Sequence, residues 1–94
     1  MAVTLKFIGA LRDFLKNGKI ALQTEQTVSL RELIKEIVKE SPKLERLLVD
    51  PELEDSRPNT LIIVNGKEIS ALKGLETEIK DGDEVVFVPV LHGG

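Results

Sequence analysis

The sequence predicts an α+β fold, one main helix packed on one face of a mixed four- to five-stranded sheet, and three observations predict it. Ala2 to Ile8 alternates, with Val3, Leu5 and Phe7 on one face and Thr4 and Lys6 on the other, the pattern of a half-buried strand. Leu30, Leu33, Ile34, Ile37 and Val38 fall at i, i+3, i+4, i+7 and i+8, the single buried stripe of an amphipathic helix. Two apolar-rich segments, Thr60 to Asn65 and Glu84 to Val90, follow the helix as further strands.

The elements follow in order along the chain. Gly9 ends the first strand, and Ala10 to Gly18 is a connection whose Leu11 and Phe14 tuck under the sheet edge. Lys19 to Thr24 alternates again with Ile20 and Leu22 inward, which closes a first hairpin. Ser29 followed three residues later by Glu32 is a capping box and sets the helix start. Arg31, Glu32, Lys35, Glu36, Lys39 and Glu40 form the opposite, solvated face. Ser41-Pro42 stops the helix. Leu44, Leu47 and Leu48 suggest one or two further helical turns, and Asp50 to Asn59 reads as a polar loop. The continuous apolar runs Leu61 to Val64 and Val85 to Val88 predict central strands buried on both sides. Asn65-Gly66 is a type I′ hairpin signal, because both positions need φ > 0, and Lys67 to Ile69 is the short return. Leu72 and Leu75 lie near a turn around Gly74, and Asp81-Gly82-Asp83 is another turn. Pro89 lacks an N–H and should weaken the final ladder. Hairpin, helix, then strands, with the helix as a crossover between parallel strands, is the pattern of the β-grasp fold. It predicts one domain over residues 1–90 and a flexible tail over 91–94.

Composition excludes more than it assigns. Ninety-four residues make one core, and 41% hydrophobic with 31% charged residues is the balance of a folded chain. A net charge of −3 argues against an electrostatic grip on nucleic acid, and three Phe as the only aromatics leave few stacking platforms. With no Cys there is no disulfide, no thiolate metal site and no persulfide or thioester carried on this chain. One His cannot make a multi-His metal site. No apolar run approaches the roughly 20 residues that cross a bilayer, and the start of the chain reads as a strand rather than a secretory signal, so a cytoplasmic protein is expected. No phosphate loop or dinucleotide fingerprint is present. Glu52, Glu54 and Asp55 read as a solvated loop rather than a magnesium site. His92, beside two glycines, cannot be held as a general base and reads as solvent-exposed or as a partner contact.

What remains is the terminus, Leu91-His92-Gly93-Gly94. A terminal Gly pair arises by chance in roughly one chain in 200 at ordinary glycine usage. An α-carboxylate is ionised at neutral pH and is a poor electrophile until it is activated, for instance as an acyl-adenylate. An activating enzyme must thread it into a closed site, and two residues without Cβ atoms fit a narrow channel. Four tail residues reach about 13 Å, enough to carry Gly94 off the domain surface while the body docks outside.

A terminal Gly-Gly on a β-grasp domain of this size resembles the ubiquitin-like sulfur carriers: the small subunit of molybdopterin synthase, the thiamine-pathway sulfur carrier and the ubiquitin-related modifier. Arg57-Pro58, Leu61 to Asn65, Leu75, Asp81-Gly82-Asp83, Val86, Phe87 and above all Leu91-His92-Gly93-Gly94 resemble the modifier. Phe7 to Arg12, Asn65-Gly66, Asp81 to Val85, and Phe87 with Pro89 resemble the synthase small subunit, but Val90-Leu91-His92 departs from that family's Pro-Val-Ala before the glycines. The mixture resembles an archaeal member of the modifier branch. The resemblance implies activation by an E1-like enzyme that adenylates Gly94, after which a persulfide donor supplies sulfur to give a C-terminal thiocarboxylate. ATP, magnesium, zinc and catalytic cysteines would belong to those partners, with no cofactor or metal on this chain, itself a monomer. The product would thiolate tRNA through a tRNA-thiolating enzyme, feed a molybdopterin synthase large subunit, or be captured by lysines of target proteins in a proteasome-linked modification. A plain β-grasp interaction module with incidental glycines is the remaining alternative. Phe87, Pro89 and Leu91 are the expected apolar contacts on the free sheet face, with Arg12, His92 and Gly93 as further partner contacts.

Overall fold

A computed structural model describes residues 2–14, 18–23, 26–39, 41–48 and 60–89. Strand β1 (Ala2–Phe7) is followed by a 3-10 turn (Gly9–Phe14), β2 (Lys19–Gln23), a two-residue strand β3 (Val28–Ser29), helix α1 (Leu30–Val38) and helix α2 (Pro42–Leu48). Then come β4 (Thr60–Val64), β5 (Lys67–Glu68), 3-10 turns at Ile69–Ala71 and Gly74–Glu76, β6 (Glu78–Ile79) and β7 (Glu84–Pro89).

The main sheet has five strands in the order β2-β1-β7-β4-β5, and β3 pairs with β6 in a second, two-stranded sheet. β1 and β7 are parallel; β1 with β2, β4 with β7 and β4 with β5 are antiparallel. β2 and β4 therefore run in the same direction with two strands between them, so the helices cross over to a distant strand rather than to a neighbour.

Alternation along β1 buries Val3, Leu5 and Phe7; β4 adds Ile62 and Val64, and β7 adds Val85 and Phe87. Helix α1 covers that face with Leu30, Leu33, Ile34 and Val38, and α2 adds Leu44 and Leu48. Leu11, from the 3-10 turn, is tucked into the same core. Ser29 caps α1: its Oγ accepts from the Glu32 amide at 3.1 Å. Ser29→Ala should lower stability by about 1 kcal/mol in urea denaturation, with the fold unchanged by circular dichroism. Ser41 plays two parts. Its amide bonds back to Val38 O at 2.9 Å, and its Oγ caps α2 at the Leu44 amide, 3.2 Å away, with Pro42 at the first helical position.

Asn65 (φ 49) and Gly66 (φ 85) make the positive-φ turn between β4 and β5. Asn65 also clasps the start of β7: its Nδ2 donates to Asp83 Oδ1 and its Oδ1 accepts from the Glu84 amide, both at 2.9 Å.

The structure differs from the sequence-based expectation at three places. β4 and β7 are not buried on both faces, since Leu61 is 39% exposed and Ile63, Val86 and Val88 are half-buried. Ile20 lies on the core face, opposite Leu5, yet is 42% exposed because it sits on the outermost strand. The β3–β6 pair has no signature in the sequence, because two-residue strands carry no periodicity. The loop expected over Asp50–Asn59, with Glu52, Glu54, Asp55, Arg57 and Pro58, lies outside the described residues.

Candidate functional site

The site is organised by β7, the middle strand of the sheet, which is described to Pro89. Leu91, His92, Gly93 and Gly94, together with the boundary expected at residue 90, lie outside the described residues. What the structure places is the root of the tail and the surface around it.

Phe87 is fully buried, and its ring meets Phe7 edge-on at 5.0 Å between centroids and 82° between planes. Its expected place on the free face is therefore wrong. Side chains in a strand alternate faces, and Phe87 has the parity of Val85, which points into the core. Pro89 shares that parity and is half-buried at the rim of the core face. Its Cγ lies 3.2 Å from where a Cβ on Gly9 would stand, and Gly9 holds φ +63. Glycine there lets the 3-10 turn close directly onto the end of β7, and the Ile8 amide donates to Phe87 O at 3.0 Å beside it. Arg12 is exposed on that same turn, with its Cγ 3.1 Å from the ideal Cβ position of Gly18. The turn packs on β7, so Arg12 belongs to the flank of the tail root.

The apolar surface that sequence reasoning placed on Phe87 and Pro89 exists, one residue out of step. Val86 and Val88 point to the helix-free face, where Ile63 lies opposite Val86 and Leu61 opposite Val88. Ile8, 46% exposed, continues the parity of β1 beside Val88. Lys6 and Glu84 rim the patch with an ion pair of 2.8 Å between half-exposed groups. A pair so open to water contributes little stability, which leaves it free to face a partner. The signal for this patch was present in the sequence: a strand apolar at both parities is buried on both sides or keeps its second face for a partner.

Among the described residues no group of His, Cys, Asp and Glu is placed to hold a metal ion, and no helix is long and apolar enough to cross a membrane. The profile of the ThiS family matches residues 5–94, nearly the whole chain. The chain belongs to the ThiS family. Ubiquitin-related modifier 1 of Schizosaccharomyces pombe is 29% identical over 101 residues, covering all of both chains. The solution structure of Urm1 from Trypanosoma brucei superposes with a TM-score of 0.81 at 26% identity, covering 99% of this chain and 95% of that one. A chain of the Amycolatopsis orientalis BexX/CysO complex gives 0.75 at 26% identity, covering 99% of this chain and all of that one. The likenesses establish the ubiquitin-like β-grasp fold and set the chain among the small sulfur carriers and modifiers.

Proposed function

We propose that this chain is a sulfur carrier and protein modifier that acts through the carboxyl group of Gly94. One observation carries the reading: an apolar patch of Ile8, Leu61, Ile63, Val86 and Val88 lies on the free sheet face at the end of the central strand from which the Gly-Gly tail continues. A partner seated on that patch has the root of the tail beneath it.

An E1-like enzyme holding ATP and magnesium docks there. A Gly94 carboxylate oxygen attacks the α-phosphorus, pyrophosphate leaves, and the acyl-adenylate is a competent electrophile. The terminal sulfur of a persulfide displaces AMP, giving an acyl disulfide. A second thiol of the partner cleaves its S–S bond, and the chain departs with a C-terminal thiocarboxylate. That sulfur then goes to tRNA through a thiolating enzyme, or the activated acyl carbon is captured by a lysine amine as an isopeptide. The folded body contributes binding and orientation, and docking through the patch makes the capture effectively intramolecular.

ATP–pyrophosphate exchange with the activating enzyme tests this docking face. Leu61→Asp should raise KM at least about tenfold, since burying an unpaired carboxylate in an apolar contact costs more than about 1.4 kcal/mol, while kcat and the circular dichroism spectrum stay unchanged. An unaltered KM would place docking elsewhere.

A further inference from the structure

The outer edge of β2 has no use in this reading, and its geometry is specific. In β1 the Ala2 carbonyl accepts from Gly82, the Thr4 amide donates to Asp83 O, and the Ile8 amide donates to Phe87 O. Even-numbered residues of β1 thus turn their peptide groups away from β2, and the odd-numbered ones bond to it. Leu5 is opposite Ile20 and Val3 opposite Leu22. In β2 it follows that Ile20 and Leu22 bond inward, while Lys19, Ala21 and Gln23 direct their N–H and C=O groups outward. Among the described residues nothing pairs with them. Ile20 adds an exposed apolar side chain on the core-facing side of this edge.

An unpaired edge takes an extended backbone, and this edge is its own complement. We propose that two copies of the chain pair through β2, antiparallel about a two-fold axis at Ala21, and form a continuous ten-stranded sheet. Ala21 then faces Ala21 of the second copy and exchanges both backbone hydrogen bonds with it. Lys19 faces Gln23 on either side, so about six bonds close the seam and no like charges stand directly opposite. On the core-facing side Ile20 lies opposite Leu22 of the second copy, which covers the apolar surface that the monomer leaves open. Any other antiparallel register of the outward-facing residues loses part of this. A shift centred on Lys19 sets two ammonium groups face to face, and one centred on Gln23 loses the Ile20–Leu22 pairs. The seam is short, so the dimer is weak and the monomer is the dilute species.

The two-fold stands perpendicular to the sheet, so both apolar patches face the same side and the two β7 strands run in opposite directions. The carboxyl ends of the two β7 strands, at Pro89, lie at opposite ends of the dimer. β7 lies two strands, about 10 Å, from the seam, so pairing at β2 leaves the patch and tail root uncovered.

Sedimentation equilibrium of the full chain over a concentration series reaching the millimolar range tests the seam. The average mass should rise from monomer towards dimer. Ala21→Lys and Ala21→Glu each set like charges opposite at the axis and should weaken association at least tenfold, while an equimolar mixture of the two should recover it as a heterodimer. Ala21 is exposed and its outward groups carry no bonds among the described residues of the monomer, so both variants should keep the wild-type spectrum and the wild-type rate of ATP–pyrophosphate exchange. A mass that stays monomeric throughout, an Ala21→Lys chain that associates like wild type, or a mixture no better than its components would overturn the proposal.

Discussion

Deleting Gly93 and Gly94 should abolish activation while the fold stays intact. In ATP–pyrophosphate exchange the rate should fall by at least about a hundredfold, because a misplacement of only ~1 Å can cost that much and removal of two residues draws the carboxylate back by about 7 Å. The stability of the domain should not change. The core is closed by Val85 and Phe87 of β7, and none of the described buried residues lies beyond them. Gly94→Ala separates reach from width. It restores the length and adds one methyl group, so a loss with this variant locates the requirement in a channel that admits only a bare backbone. A truncated chain activated at the wild-type rate would mean that the reactive group is elsewhere.

Phe87→Ala should cost about 3–5 kcal/mol of folding stability, a large share of the ~5–15 kcal/mol that holds an ordinary domain together. The ring is 0% exposed in the middle strand and packs edge-on against Phe7, so its removal leaves a cavity at the centre of the core and forfeits an aromatic pair. Urea denaturation reads the loss. The opposite pattern, wild-type stability with impaired docking, is what a surface contact would give, so this variant and Leu61→Asp divide the two faces of the sheet. Phe7→Ala in the same background should be less than additive, since the pair is already broken.

Much of the fold was legible because long elements carry periodicity. The stripe from Leu30 to Val38, the Ser29 cap, the alternation of β1 and the Asn65-Gly66 turn each translate one local rule into one local structure. Where the local rule is ambiguous, sequence and structure part. Continuous apolar residues in β4 and β7 do not reveal which parity meets the helices; only pairing with β1, where Val3, Leu5 and Phe7 are buried, settles it. The same ambiguity moved the expected docking residues from Val86 and Val88 to Phe87 and Pro89. Ile20 lies on the face its alternation predicts but is exposed, because a sequence does not show which strand will be outermost. The tail was legible only as chemistry and resemblance, since two residues without side chains leave no pattern.

The central claim is that Gly94 is the reacting group. Intact-mass spectrometry of the chain after incubation with the activating enzyme, ATP, magnesium and a persulfide donor, followed by fragmentation to locate the change, tests it most directly. Sulfur should replace one oxygen in the C-terminal fragment and nowhere else. An unchanged mass with an active enzyme, or an added sulfur located on any other residue, would contradict the account.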